Sequence, residues 1–306
     1  MGIFDLKIGF KCNNNCRHCV VNDKKDCGSL SVPVLCKLIE EAPAGYVIQI
    51  TGGEPSIYEY LPSLLEKCHE CDHEVVLQTN GTGFSDYSFT QKCAPFIDHA
   101  HVAIHSIYEE VHDCIVQSSG MWKKTMQGLY NLQSLGVYCT TQTVLSKYNI
   151  KTLYDTFSSL QFMYPGILMS MTYPHQMGNA LKNREEVCFR YSDYKDEILR
   201  TLQDFYPFIF TEAIPPCYLH PFTSVVPSAE KDIIENLKKG IISRIGVDFS
   251  DSYNRKNYNS LDLSNHRKGP LCKDCIYNKE CIGVWKEYID LYKNCLDLFP
   301  IKEENT

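Results

Sequence analysis

Lys7-Ile8-Gly9-Phe10-Lys11-Cys12-Asn13-Asn14-Asn15-Cys16-Arg17-His18-Cys19 places three cysteines in the spacing C-x3-C-x2-C near the start of the chain. Thiolates are soft, anionic ligands, and a tight loop that aims three of them at one centre has met most of the ordering cost of a [4Fe-4S] cluster. Three thiolates hold three irons, which leaves the fourth iron open to a small molecule. Asn13, Asn14 and Asn15 favour a turn over a helix, because asparagine tolerates left-handed backbone and bonds its own main chain. Zinc is the alternative for the same residues, since C-x2-C is a common zinc spacing. No histidine-rich segment or second C-x2-C pair lies close in sequence, so zinc would need a distant ligand.

Working outward, residues 46–50 read as a strand that runs into Thr51-Gly52-Gly53-Glu54-Pro55. Gly52 and Gly53 let the backbone turn sharply and approach a ligand, and Glu54 can accept a hydrogen bond from an ammonium group. The cysteine triplet, the apolar segment 3–10 before it and the 51–55 turn together resemble the radical S-adenosylmethionine (SAM) superfamily.

That resemblance implies a partial (β/α)6 TIM-like barrel and a cluster on Cys12, Cys16 and Cys19 whose open iron is chelated by the amino and carboxylate groups of SAM. One electron from the cluster then cleaves the sulfonium to a 5′-deoxyadenosyl radical. It further implies that Gly52, Gly53 and Glu54 hold the methionine amino group. Thr79 and Asn80 after the third strand, and His105 and Ser106 after the fourth, stand where family members contact ribose or substrate. Asn149 follows the fifth strand at a position often polar. His18 takes the place of an aromatic that packs near adenine, and residues 174–178 resemble a segment that lines the cofactor pocket. Two features depart from the pattern. Ala103 stands where many relatives carry a serine, and Val116 and Gln117 stand near the place of an arginine.

Strands are expected at 4–10, 46–50, 74–79, 101–105, 137–145 and 166–172. Helices are expected at 57–71, at 123–135 closed by Gly136, and after Ser31 as N-cap, where a proline in the first turn precedes inward-facing Leu35, Leu38 and Ile39. Strands separated by helices pair in parallel through right-handed crossovers, an α/β arrangement of six units with its chemistry at the carboxyl ends of the strands. The expected division is a barrel over 1–185, a bridging region over 186–214 and a small C-terminal α+β extension over 215–306. Residues 191–210 predict one joining helix, and the polar stretch 248–268 predicts a mobile surface loop.

The C-terminal third holds Cys217 and then Cys272, Cys275 and Cys281 in the spacing C-x2-C-x5-C. This trio resembles the core of the SPASM and shorter twitch extensions, which carry auxiliary iron-sulfur clusters. Cys217 as fourth ligand would close a second [4Fe-4S] cluster with no open iron. A two-cluster extension continues to a further cysteine where this chain has Trp285, so one auxiliary cluster is expected, with Cys295 the one later cysteine. A zinc ribbon on the same four cysteines is the alternative. Cys68 and Cys71, near His69 and His73 at a helix end, read as thiols rather than ligands. Cys27, Cys36, Cys93, Cys114, Cys139 and Cys188 lack partners in sequence, and one of them could donate a hydrogen atom in an epimerisation.

The chain has 306 residues, 44% of them apolar, a formal charge of −7 and sixteen cysteines. That length suits one large domain with an appendage, and the charge argues against a nucleic-acid partner. Many cysteines with no signal peptide and no long apolar run suggest the cytoplasm and no membrane. The expected function is a radical SAM enzyme with two [4Fe-4S] clusters that abstracts a hydrogen atom from its substrate. Relatives with this extension often crosslink or epimerise ribosomally synthesised peptides, which makes a peptide the favoured substrate. A small molecule of cofactor or natural-product biosynthesis comes second. A non-catalytic electron-transfer or sensing protein is the contrasting class, although an electron carrier has no use for an ammonium-binding turn. The expected reductant is a flavodoxin or ferredoxin. Because the first strand begins a few residues after Met1, no leader-recognition domain is expected before it, and peptide recognition falls to a groove or to a separate leader-peptide-binding protein.

Overall fold

The computed structural model describes residues 2–224, 244–248, 254–257, 265–293 and 295–302. Seven parallel strands form the main sheet: β1 (Gly2–Gly9), β2 (Tyr46–Gly52), β3 (Val75–Thr79), β4 (His99–Ala103), β5 (Tyr138–Val144), β6 (Leu168–Thr172) and β7 (Ile209–Glu212). They lie side by side in chain order, each paired in parallel with the next, as in Phe4 with Ile48 and Met169 with Ile209. Helices fill the crossovers: α1 (Val32–Glu40), α2 (Leu61–Glu70), α3 (Tyr87–Cys93), α4 (Glu109–Val116), α5 (Met121–Ser134) and α6 (Leu153–Met163). The fold is therefore α/β, an open partial barrel with a small C-terminal extension.

The six expected strands are present with ends within two residues of the expected ones. In α1, Leu35, Leu38 and Ile39 are buried as expected, but Ser31 makes no side-chain capping bond. α2 starts at Leu61 rather than 57, because Pro55–Ile57 forms a separate 3-10 turn and the proline in the first turn of α2 suits a helix start. Gly136 follows α5 at φ +83°, the left-handed value that ends a helix.

Two expectations are corrected. Residues 191–210 are not one helix: α7 (Gly178–Lys182) and α8 (Arg184–Val187) precede a 3-10 turn at Tyr191–Tyr194, then α9 (Lys195–Phe205), and β7 then adds a seventh strand beside β6. Pro207 lacks the N–H a helix needs, and four residues are too few to show a strand period in sequence. The stretch 248–268 is not simply a loop either. β8 (Arg244–Asp248) pairs in parallel with β1, and β9 (Asn254–Asn257) pairs antiparallel with β8. Ladder hydrogen bonds are made by backbone, so polar residues can hold a strand that composition hides. Residues 249–253 and 258–264 lie outside the described residues.

Alternation along the strands sorts the core from the cavity. Leu6, Ile8, Ile48, Ile50, Leu77, Ala100, Val102 and Met169 are buried, while Asp5, Lys7, Gln49, Gln78, His101 and Gln142 line the barrel cavity. The extension comprises α10 (Pro216–Leu219), the hairpin of β10 (His266–Arg267) with β11 (Val284–Trp285), and α11 (Lys286–Tyr292). A buried tyrosine cluster ties it to the barrel: Tyr191 packs on Tyr173, Tyr218 and Tyr288, with ring centroids 4.5, 5.2 and 4.8 Å away. The Tyr288 hydroxyl donates to the Asp297 carboxylate, which Arg190 also approaches at 3.3 Å. No described helix is long and apolar enough to cross a membrane.

Candidate active site

β1 ends at Gly9 and delivers the chain into the cysteine loop at the carboxyl edge of the sheet. Cys12, Cys16 and Cys19 line one cavity of about 520 Å³ together with His18, Gly52, Gly53, Glu54, Thr79, Asn80 and His105. Other parts of the fold hold the loop by its backbone. The N–H groups of Asn15 and Arg17 donate to the carbonyls of Val116 and Ile115 at the end of α4, at 3.0 and 2.9 Å. Asn179, on α7, donates from its N–H to the Cys19 carbonyl at 2.8 Å and from Nδ2 to the Cys16 carbonyl at 3.0 Å. Asn183 Nδ2 donates to the Arg17 carbonyl at 3.0 Å, and Lys25 Nζ to the Asn14 carbonyl at 2.7 Å. Gly178, at φ +51°, packs on Cys19 and Val20, where a Cβ would lie 2.6 Å from the Cys19 carbonyl oxygen.

Asn179→Ala deletes the Nδ2 bond to the Cys16 carbonyl together with side-chain links to Asn15 and Asn22; the first alone is worth about 1 kcal/mol, or roughly a fivefold change in an equilibrium. The expected result is iron loss from the N-terminal site to a chelator that is several times faster, with little change in melting temperature; an unchanged rate would remove Asn179 from the clamp.

The sulfurs form a donor set suited to a soft, positively charged group. Burial, together with the negative charge of Glu54 and Cys19, pushes the Cys12 thiol up to about 11 despite the Asn14 N–H that donates to its sulfur at 3.4 Å. Burial and the two neighbouring cysteines push Cys16 further, and burial raises Cys19. Three thiols crowded like this resist ionising by themselves, and a bound cationic cluster reverses the balance by deprotonating them. Asn14 also lines the cavity, and neither polar atom of its buried side chain has a hydrogen-bond partner among the described residues.

The glycines of the 51–55 turn serve the loop itself. Gly53 N–H donates to the Gly9 carbonyl at 2.8 Å and Glu54 N–H to the Lys11 carbonyl at 2.9 Å. A Cβ at Gly52, whose φ is +134°, would lie 2.1 Å from the Gly9 carbonyl oxygen, and one at Gly53 would lie 2.1 Å from that of Lys11. The close approach expected toward a ligand is thus, in the structure, an approach to the segment entering the cysteine loop.

Glu54 is 1% exposed. Its Oε1 accepts from the Ser56 N–H at 2.9 Å and the Thr79 hydroxyl at 2.5 Å, and its Oε2 accepts from the Asn80 N–H at 2.6 Å. Burial raises its pKa while these donors hold it down. Glu54 therefore joins the end of β2 to the end of β3. Asn80 continues the link, since its Nδ2 donates to Asn13 Oδ1 at 2.8 Å and lies 3.9 Å from the Cys12 sulfur.

His18 meets His105 edge to face, centroids 4.5 Å apart, and both Nδ1 atoms are buried without a hydrogen-bond partner among the described residues. Burial lowers the pKa of His18 to about 4 and that of His105 well below the ordinary value. One nitrogen from each histidine and the Cys16 sulfur all lie within 4.8 Å of one another. The distant partner that a zinc reading of the triplet lacked in sequence is thus present in space.

Ser106 and Asn149 do not reach the cavity lining. The Ser106 hydroxyl is fully buried and accepts from the Tyr108 N–H at 3.1 Å, as expected for a serine turned into a loop. Asn149 staples the loop after β5, accepting from the Ser146 N–H at 2.7 Å and donating to the carbonyls of His105 and Val144 at 2.8 and 2.9 Å. Its Asx geometry orients His105 from behind. The Val116 and Gln117 positions are both used by the loop: Val116 lines the cavity, and Gln117 Oε1 accepts from Asn15 Nδ2 at 3.1 Å.

Several contributors escaped the sequence reading. Lys7 and Asp5, 3.5 Å apart, and Glu212 from β7 line the cavity floor; charges at alternate positions of an apolar strand were the available signal for the first two. Pro174 and His175, by contrast, belong to the 174–178 segment expected at the pocket, and they line its wall. His175 stacks on Trp285 with centroids 3.9 Å apart and 9° between planes, so the extension supplies part of the wall. Trp285, at the place of the absent cysteine, is thus turned toward the cavity.

Cys217, Cys272, Cys275 and Cys281 line a second, smaller cavity, whose wall includes Val284, the neighbour of Trp285. Burial and the three other cysteines raise the Cys217 thiol. Main-chain N–H groups point at two of the sulfurs, Gly283 to Cys281 at 3.2 Å and Ile301 to Cys275 at 3.4 Å. Four converging thiols with N–H donors suit a cubane or a tetrahedral zinc equally. Cys295 is buried and does not line this cavity.

Residues 6–160 match the family model described as the Radical SAM superfamily. The chain is similar to a protein named YfkA from Bacillus subtilis (strain 168), 26% identical over 219 residues, 61% of this chain and 56% of that protein. It is also similar to the Fe-coproporphyrin III synthase of Methanosarcina barkeri (strain Fusaro / DSM 804), 26% identical over 156 residues, 49% of this chain and 39% of that protein. The chain thus spans about half the length, or less, of these curated relatives. Among solved structures it is similar to native anSMEcpe with bound AdoMet and Kp18Cys peptide, with TM-score 0.65 and 15% identity over 97% of this chain and 96% of that one. At that identity the likeness is one of fold.

Proposed function

This chain belongs to the radical SAM superfamily, and we propose that it modifies a peptide, forming a crosslink, with one [4Fe-4S] cluster on Cys12, Cys16 and Cys19 and an auxiliary one on Cys217, Cys272, Cys275 and Cys281. The observation that carries this reading is the convergence on one cavity of three cysteines and the Gly52-Gly53-Glu54 turn, with a wall lent by the cysteine-rich extension through Trp285. When bound, the first cluster and SAM supply the one-electron cleavage that yields a 5′-deoxyadenosyl radical able to take a hydrogen atom from the substrate.

The protein's part is placement. Glu54, Thr79 and Asn80 keep the ends of β2 and β3 in register with the cysteine loop, and α4 and α7 clamp the loop from two sides. Lys7, Asp5, Gln49, Gln78, His101 and Glu212 present the substrate with a polar floor, and His175 with Trp285 closes one side against water.

A crosslink is favoured over an epimerisation because none of the nine cysteines outside the two sets lines the cavity. A peptide is favoured by fold likeness to a structure that holds one. A small-molecule substrate is the second reading, favoured by the similarity to Fe-coproporphyrin III synthase. The proposed division is a barrel over 1–185, a bridge over 186–214 that returns β7 to the barrel sheet and an extension over 215–306 that adds β8 beside β1; a cytoplasmic setting and a flavodoxin or ferredoxin as reductant complete the proposal.

Anaerobic reconstitution tests the reading. Wild type should hold about eight irons and a Cys12, Cys16, Cys19→Ala triple variant about four. Dithionite and SAM should release 5′-deoxyadenosine from wild type alone. A fully loaded protein that releases none would overturn the enzyme.

A further inference from the structure

Cys16, His18 and His105 are grouped more tightly than cluster binding requires. A cubane spreads its ligands around a cage, whereas one sulfur and two imidazole nitrogens all within 4.8 Å of one another surround the space of a single ion. Both histidines are buried, and both have an Nδ1 without a hydrogen-bond partner among the described residues. Leaving two such buried atoms unsatisfied is unfavourable, so their retention points to an occupant.

The group is also held in place. His105 donates its main-chain N–H to His112 Nδ1 at 3.3 Å, stacks on the His112 ring at 5.5 Å, and has its carbonyl bonded by Asn149. The loop carrying Cys16 and His18 is bonded through Asn15 and Arg17 to α4, the helix that carries His112. All three ligand positions therefore rest on one support, as a metal site needs.

We infer that, before its cluster is assembled, the protein binds one zinc-type divalent ion at Cys16, His18 and His105, and that this ion and the N-terminal cluster exclude one another. One thiolate with two imidazoles is a borderline-soft set that suits zinc, cobalt or copper and leaves the fourth position open. Exclusion follows because Cys16 is claimed by both, with Cys12 and Cys19 completing the cluster set. The inference rests on the reading of Cys12, Cys16 and Cys19 as cluster ligands and adds regulation of that site by metal supply. The ligand-binding step releases the Cys16 proton to solvent and changes no oxidation state.

The test uses full-length metal-free protein, with Zn²⁺ as the probe. One portion receives Zn²⁺ before reconstitution with iron and sulfide and the other none, and each is then reduced. The change that SAM causes in the electron paramagnetic resonance spectrum reports the N-terminal cluster separately from the extension. The expected result is a tenfold or greater loss of that SAM-sensitive signal after zinc in wild type; in His105→Ala, which keeps all three cluster cysteines but alters the SAM cavity, the readout is iron per chain, and zinc should cost it none of the roughly four N-terminal irons. His105→Cys, which restores a ligand, should restore the zinc block.

Equal signals with and without zinc in wild type would overturn the inference, as would an unrelieved block in His105→Ala. A wild-type protein with no SAM-sensitive signal even without zinc would instead count against the cluster assignment. The two failures are distinct. Co²⁺ in place of Zn²⁺, in a Cys272, Cys275, Cys281→Ala background that takes the four-thiol site of the extension out of the spectrum, gives a second readout, since its sulfur charge-transfer band should weaken in His18→Ala and in His105→Ala and should persist in Cys19→Ala. A band indifferent to both histidines would also overturn the inference.

Discussion

Gly53→Ala should abolish loading of the N-terminal site, so that iron falls from about eight per chain to about four while the extension keeps its share. The added Cβ would lie 2.1 Å from the Lys11 carbonyl oxygen and 2.5 Å from that of Phe10. Neither oxygen can retreat cheaply. Both belong to the backbone entering the cysteine loop, and the Lys11 carbonyl is already bonded to the Glu54 N–H at 2.9 Å. Relief of the clash moves the two segments apart and takes Cys12 out of position relative to Cys16 and Cys19. Overpacking of this kind costs about 1–3 kcal/mol or more in stability. Gly136→Ala is the matched control, since its Cβ would meet open space and only the positive φ is strained, at about 1 kcal/mol. Full iron in Gly53→Ala would show that the turn does not set the loop.

Cys217→Ala should have the second large effect and separates the two metals open to the extension. Removing one of four ligands from a closed site costs most of its metal, so about four irons should go while the SAM-sensitive signal of the N-terminal cluster remains. Calorimetry should also show an earlier unfolding step, because α10 carries both Cys217 and Tyr218, and Tyr218 packs into the tyrosine cluster that docks the extension. A zinc ribbon gives a different result: one zinc per chain lost and iron unchanged, which would remove the auxiliary cluster from the proposed function.

Both predictions depend on how differently the parts of this protein showed in its sequence. The N-terminal cysteines and the 51–55 turn were legible because their chemistry is local: ligand spacing and glycine pairs are meaningful within a dozen residues. Strands β1 to β6 were legible for a similar reason, since apolar runs between turn residues mark them. β7 and β9 were not, because each is four residues long and is stabilised by backbone bonds to a neighbour. Ser106 and Asn149 stood at the right strand ends, yet side-chain direction after a strand depends on the loop, and both side chains bond the main chain instead.

The amino-acid sequence by itself determined the donor chemistry: which thiols can bind a cluster, where the backbone can turn tightly, and that strand and helix alternate. Those properties depend on residues a few positions apart and survive without knowledge of the fold. Tertiary structure alone decided that Glu54 locks β2 to β3, that His105 comes to Cys16 across 89 positions of chain, and that Trp285 walls the barrel cavity. Each of these is a meeting of segments distant in sequence, set by sheet order and by the docking of the extension, and no local pattern encodes where such segments meet.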